Sequence, residues 1–429
     1  MTGSINRRGF LGGSGAAVGT LAFTAAKGWA SGNAPNDRLT VGVMGLSRGR
    51  ALATGFAQTP GVMVKYCCDV DQDRADAGAD AVRKTVSDQS PEAIQDFRRI
   101  LDDPDVDALV CAAPNHWHGP ATILGCKADK HVYVEKPACH NPWEGEMMVE
   151  AARKYNKAVQ MGSQRRSSPQ LIEAVEAIKD GVIGRLYHAR SFYNSRRGSI
   201  GYADPSEAPS QIDYELWQGP APRKPFKSNV VHYNWHWFWH WGNGELGNNG
   251  VHGLDLVRWG LGVDLPTSVV STGGRYVFED EQETPDTHTV SFEFPGRISA
   301  DWQGLSCNGN APAPFVIFYG TDGALEMFGN GSYTIKDNAG KEVKSVRGVL
   351  GEPEHLSNFV EAIRNDTPLA LNAEIEQGVK STLLCHLGNI AHRVGRSLKC
   401  DPTNGTIQSD DEAMSYWKRE YAEGWQPTV

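Results

Sequence analysis

The chain has 429 residues, 40% of them hydrophobic and 22% charged, which excludes a disordered, collagen-like or coiled-coil protein and predicts two or three domains. A formal net charge of −9 offers nothing to a phosphate backbone, so a nucleic-acid partner is not expected. Forty-seven glycines and twelve tryptophans stand out from this ordinary background, and four of the tryptophans fall between Trp235 and Trp241.

The first segment reads as an address. Arg7-Arg8 precedes Phe10-Leu11 and a weakly apolar, glycine-rich stretch, and Gly28 and Ala30 supply small residues for cleavage after Ala30. The apolar run is about 16 residues, short of the roughly 20 that a membrane span needs. Residues 1–30 are therefore expected to be a twin-arginine signal, with the export machinery as a partner, no stable membrane anchor and a periplasmic or otherwise exported destination. That route carries folded proteins, which predicts a tightly bound cofactor. Eight scattered cysteines without a C-x-x-C pair predict no disulfide framework.

Residues 39–44 form a short apolar run, read as a buried strand, followed by a turn at Gly45 and a helix over 50–58. A second strand, 62–68, ends in Asp69. A helix closes at 97–101; strands at 107–112, 131–135 and 158–162 then alternate with helices at 120–130 and 143–154. This alternation predicts an N-terminal Rossmann domain over 37–162, a doubly wound α/β fold that binds NAD(P). Ser168-Pro169 opens a helix that Gly181 closes. Strand-like stretches at 185–193, 268–278, 287–294 and 315–319, ending near 335, predict an α+β domain over 163–350 with a large, mostly antiparallel open sheet. Residues 351–429 return to helix, at 354–364 and 374–394.

Strand, glycine turn, helix and a later acid make the dinucleotide plan. Glycines admit the pyrophosphate to the helix N-terminus, and an acid ending the second strand accepts from ribose hydroxyls. Gly45, Leu46, Ser47, Arg48 and Gly49 form the turn, and Asp69 follows Gly45 by 24 residues. An acid there favours NAD, although Arg48 or Arg50 would tolerate a 2′-phosphate, which keeps NADP open. The same turn reads G-x-S-x-G, which would make Ser47 the nucleophile of an α/β-hydrolase. Its position after the first strand, and the unexplained Asp69, weigh against that reading.

Two further runs end strands: Pro114-Asn115-His116-Trp117-His118 and Glu135-Lys136-Pro137. At these residues the sequence resembles the Gfo/Idh/MocA oxidoreductases, whose signature is Glu-Lys-Pro. The resemblance implies that Lys136 is catalytic beside the nicotinamide, that Glu135 and Pro137 shape its pocket, and that Asn115 and His118 lie near its ribose. A second family motif, D-x-G-x-H, reads Asn248-Asn249-Gly250-Val251-His252 here. His252 matches and is the expected acid/base partner. Asn248 replaces the Asp, and an amide orients a hydroxyl without taking its proton. A homo-oligomer, dimer or tetramer through the open sheet, is also implied.

The run from His232 to Trp241 has two periods. At period two it is a strand with four tryptophans on one face; at period four His232, His236 and His240 align on a helix, a spacing for a metal. Core packing is a third reading. The preferred one makes Trp235, His236 and Trp237 a sugar-stacking wall beside Asn248 and His252; Arg165, at the end of the sixth strand, reads equally as a substrate contact or a surface residue, and no metal is expected. The functional expectation is an exported enzyme moving hydride between a nicotinamide and a sugar, sugar derivative or cyclitol. Its alternatives are a redox-neutral enzyme that cleaves or modifies glycosides with locked NAD, and a non-catalytic sugar-binding protein.

Overall fold

The structure, a computed structural model, describes residues 38–310 and 314–429. The signal predicted over 1–30, with its cleavage site, lies outside the described residues.

The first half alternates strand and helix in this order: β1 (Leu39–Met44), α1 (Gly49–Gln58), β2 (Val62–Cys68), α2 (Gln72–Thr85), β3 (Glu92–Ile94), α3 (Arg98–Asp102), β4 (Ala108–Cys111), α4 (Asn115–Lys127), β5 (His131–Val134), α5 (Pro142–Lys154) and β6 (Val159–Met161). The six strands form one parallel sheet in the order β3-β2-β1-β4-β5-β6. β1 and β4 are buried along their whole length, as a sheet covered on both faces requires. The predicted 62–68 strand matches β2. The helix expected from residue 120 begins five residues earlier. Pro120 lies inside it, because His116 and Trp117 both reach the Trp217 carbonyl and are buried there.

Ser168 caps α6 (Pro169–Lys179) through its side chain, as the Ser-Pro pair predicts. Next come β7 (Leu186–Asn194), α7 (Tyr214–Gln218), α8 (Val251–Leu261), β8 (Ser268–Gly274), β9 (Thr287–Phe294), β10 (Ile298–Leu305), β11 (Val316–Gly320), β12 (Gly323–Met327), β13 (Tyr333–Asp337) and β14 (Glu342–Val346). The chain then adds α9 (Glu352–Arg364), α10 (Ile375–Val394) and β15 (Leu398–Lys399). The nine strands β7 to β15 form one sheet, order β14-β13-β12-β11-β7-β10-β9-β8-β15, in which only the β7–β10 pair is parallel. Five of these strands, β10, β12, β13, β14 and β15, were not among the stretches read from the sequence, although the β-rich region was placed to end near 335, inside β13. β14 is an edge strand with no buried face, so it carries no apolar alternation to detect.

Trp302, Phe292, Phe318 and Tyr333 on one face of this sheet pack with α8 and α10 into a core. α9 returns to the first domain and packs Phe359 against Phe56 and Tyr133. The C-terminal helices therefore bind to both sheets. All eight cysteines are free, and Cys307 alone is not fully buried.

Candidate active site

A cleft of about 1170 Å³ opens at the C-terminal ends of β1, β2, β4 and β5, where an open α/β sheet takes its ligand. Gly45 turns the chain with φ +85, and a Cβ on it would meet Ala112 and Ala113 backbone atoms at 2.6 Å. The turn leads into α1, whose first residues have neither a side-chain cap nor an acid, leaving its N-terminal N–H groups to an anion. Asp69 accepts from the N–H of Leu46 at 2.7 Å and of Asp71 at 3.0 Å, one on each oxygen, and each oxygen keeps a lone pair for a ribose hydroxyl. Burial raises its pKa against those two bonds. The cradle, the uncapped helix and the acid fit a dinucleotide.

Of the predicted cofactor residues, Gly45, Ser47, Arg48, Asp69, Pro114, Asn115, His118, Glu135 and Lys136 line the cleft. Leu46 and Gly49 do not: Leu46 is buried and contributes its N–H to Asp69, and Gly49 packs at the start of α1 against Val43. Pro137 is likewise off the lining, and its carbonyl meets Nδ1 of His118 at 2.6 Å. The other His118 nitrogen lies 2.8 Å from the Ala113 carbonyl, so this ring joins two strand-end loops rather than standing free for a ribose. Arg48 is committed to Glu135 at 3.1 Å and Glu352 at 2.5 Å, and Arg50 is outside the cleft. Neither is therefore available to a 2′-phosphate. Arg74 is the arginine beside Asp69.

Lys136 Nζ donates to the carbonyl of Asn248 at 2.7 Å and to its Oδ1 at 3.0 Å. Burial lowers the lysine pKa, opposed by Glu135 and Glu245. Asn248 belongs to a π-helical turn over Leu246–Gly250 that runs directly into α8 and thus delivers His252. His252 does not line the dinucleotide cleft. It lies close enough to Lys136 and Arg165 to feel both charges, burial holds its pKa well below the usual range, and its Nδ1 has no partner among the described residues. Arg165 is stacked over Phe315 at 4.8 Å, and its Nε is likewise unpartnered among them.

The aromatic run is neither the predicted strand nor the predicted helix. It forms a 3-10 turn, Asn234–Trp237, followed by turns and the glycines 242 and 244. Trp235, Phe238 and Trp241 pack with Trp217 in a small core of their own, as the core-packing reading expected. Trp237 is off the cleft, buried beneath Arg197 at 4.5 Å, so the wall contracts to Trp235 and His236. Those two rings stack at 3.6 Å. Burial drops the His236 pKa to about 3, so its Nδ1–H donates to the Tyr233 carbonyl at 2.6 Å and Nε2 is left as an acceptor. His232 and His240 diverge, one to Asp71 at 3.0 Å and the other to the Pro222 carbonyl at 2.7 Å, which breaks the metal spacing.

Sequence reasoning missed two features. One is the strap 211–217: Gln72 donates to the Gln211 carbonyl and Asp213 to that of Val70, and Leu216 and Trp217 then cover the cleft. No local motif marks it. The other is Glu245, 3% exposed, whose carboxylate takes Arg197 Nε at 2.5 Å, Asn249 at 2.5 Å and Asn248 Nδ2 at 3.5 Å. It lies one turn before the Asn248 that lacks its charge, a signal the sequence did contain.

Two outcomes follow from this geometry. Gly45→Val is expected to cost about 1–3 kcal/mol in backbone strain alone and to empty the cleft, seen as loss of nucleotide from the heat-denatured protein. Glu245→Gln removes a carboxylate that favours the Lys136 ammonium, so the acidic limb of the pH–rate profile, where the amine gains a proton and stops acting as a base, shifts to lower pH. An unmoved limb with lower turnover would mean that Glu245 acts only through packing.

Two family models match the chain. One is described as the oxidoreductase family, NAD-binding Rossmann fold, over residues 39–163; the other is the C-terminal alpha/beta domain of the same oxidoreductases, over residues 192–426. Levoglucosan dehydrogenase of Pseudarthrobacter phenanthrenivorans is 27% identical over 194 residues, 42% of this chain and 43% of that protein, so the match spans less than half of that relative. Myo-inositol 2-dehydrogenase of Thermotoga maritima is 22% identical over 386 residues, 86% of this chain and 100% of that one. A solved levoglucosan dehydrogenase, in complex with NADH and levoglucosan, superposes with a TM-score of 0.66 at 19% identity, covering 84% of this chain and 99% of that chain.

Proposed function

The chain belongs to the Gfo/Idh/MocA oxidoreductase family, and from that premise we propose that it is an exported enzyme oxidising a hydroxyl-bearing carbon of a sugar, sugar derivative or cyclitol. NAD, when bound, supplies the nicotinamide carbon that takes or returns the hydride. The proton is the protein's task. Lys136, its pKa lowered by burial, reaches the neutral amine at a lower pH than a free lysine and accepts the hydroxyl proton. Its two bonds to Asn248 aim the amine, and Glu245 behind Asn248 restores the negative charge that the family's Asp would carry. His252, its pKa held well below the usual range by burial and its Nδ1 without a partner among the described residues, is the acid/base partner that hydrogen-bonds and orients the same hydroxyl while Lys136 takes the proton. Trp235 offers an apolar face and His236 a lone pair to the sugar.

The observation that carries this reading is Lys136 held by Asn248 on the wall of the dinucleotide cleft. Protein purified from the periplasm is expected to release NAD when denatured, and to accumulate NADH with one member of a panel of sugars, cyclitols and glycosides. Glycoside cleavage without net NADH would replace this reading with the redox-neutral one. No bound nucleotide, with sugar affinity unchanged in Lys136→Ala, would replace it with a binding protein. Export predicts that the exported form begins at Ser31, which N-terminal sequencing checks. The same reading places a second copy of the chain on the open face of the nine-stranded sheet, a dimer or tetramer that light scattering would reveal.

A further inference from the structure

A second cavity, of about 1310 Å³, lies behind the cofactor cleft, among the start of α5, the loop at Trp239, the last turns of α10 and the C-terminal tail. Lys224, Arg393, Lys418 and Arg419 line it. Among the described residues none of these four has a carboxylate oxygen within 4.0 Å.

The Arg393 guanidinium stacks on Trp239 at 5.1 Å and on Tyr416 at 4.0 Å, contacts that use its faces and leave its N–H edge for a partner. Arg419 gives Nε–H to the Glu420 carbonyl at 3.1 Å and approaches His140 Nδ1 at 3.3 Å. Burial lowers its pKa, the mark of a charge taken out of water without full compensation. The carboxylates nearby supply it only in part. Glu283 and Glu420 also line the cavity, and Glu283, which favours the Arg393 charge from a distance, has one oxygen taken by the N–H of Trp239 at 2.7 Å. Glu144 is buried between the Tyr421 hydroxyl and the His140 N–H, with its pKa pushed up to about 7, so it is only partly ionised at neutral pH.

We infer that this cavity is a second ligand site, taking a carbohydrate or related polyol that carries a carboxylate, sulfate or phosphate. The anion meets the Arg393 edge and Arg419; Trp239 and Tyr416 give a ring an apolar border, and the Asn389 amide a polar one. The site stands back to back with the cofactor. In the shared wall, Asn243 accepts from Asn115 of the cleft at 2.9 Å through its side chain and from Asn389 of the cavity at 2.9 Å through its carbonyl.

Calorimetric titration of the full-length holoprotein at fixed ionic strength tests this, with glucuronate, glucose 6-sulfate, glucose 6-phosphate, glucose and inorganic sulfate as probes. At least one sugar anion is expected to bind saturably and tenfold or more tighter than glucose or inorganic sulfate. Arg393→Gln should weaken it at least tenfold and the exposed Lys224→Ser severalfold, while Lys136→Ala leaves it unchanged. Which anion binds most tightly identifies the group. Binding lost in Lys136→Ala but kept in Arg393→Gln would put the ligand in the catalytic cleft and overturn the site. Inorganic sulfate binding as tightly as the sugar anions would overturn its carbohydrate character, and no binding by any probe would overturn it entirely.

Discussion

Lys136→Ala is expected to lower turnover about 10²- to 10⁴-fold, the range of a positioned proton-transfer group, while the protein keeps its fold and its nucleotide. Fold and nucleotide survive because the cradle is built elsewhere, from Gly45, the α1 N-terminus and Asp69. Turnover falls because, among the described residues, Lys136 is the amine that meets the Asn248 carbonyl. Lys136→Arg should not rescue: a guanidinium stays protonated at any working pH and cannot accept the hydroxyl proton. Single-turnover absorbance at 340 nm and nucleotide content of the denatured variant check both halves. Turnover within a factor of three of the parent would remove Lys136 from the chemistry.

Asp255→Ala is expected to destabilise the protein by about 3–5 kcal/mol, the cost of stranding a buried charge. Asp255 is 1% exposed and takes Arg166 Nε on both oxygens at 2.9 and 2.8 Å, with the Ser381 hydroxyl at 2.7 Å. It lies three residues beyond His252 on α8, so its loss frees the helix that positions that ring. Burial raises the Asp255 pKa, but Arg166 and Ser381 outweigh it and leave the folded value below normal. A depressed carboxyl contributes stability above its unfolded pKa, about 3.9, and loses it as pH falls further. The gap between parent and variant in thermal unfolding should therefore be full at pH 7 and narrow below about pH 4. A variant within 1 kcal/mol of the parent would mean that the pair is replaceable by water.

Much of the catalytic end was legible locally. Gly45, Asp69, Asn115 and Lys136 each sit at the end of an apolar run, and a parallel sheet collects its strand ends along one edge, so finding the runs found the cleft. Reading failed where no period exists. The run from His232 to Trp241 satisfies the strand and helix periods equally, and packing against Trp217, 15 residues before the first of them, chose neither. Glu245 was passed over because a lone acid looks the same whether solvated or buried; only Arg197, brought in from the loop beyond β7, makes it part of the site.

Local sequence set the alternation of strand and helix in the first domain, its parallel dinucleotide sheet and the placing of Lys136 at a strand end. Those features follow from hydrophobic period and turn residues, which act over a few neighbours. Tertiary structure alone decided that the strap 211–217 covers the cleft, that Trp237 turns away from it, and that four cations of Lys224, Arg393, Lys418 and Arg419 gather behind it. Each depends on segments far apart in the chain meeting in space, and burial and charge compensation at such meetings leave no mark on either segment alone.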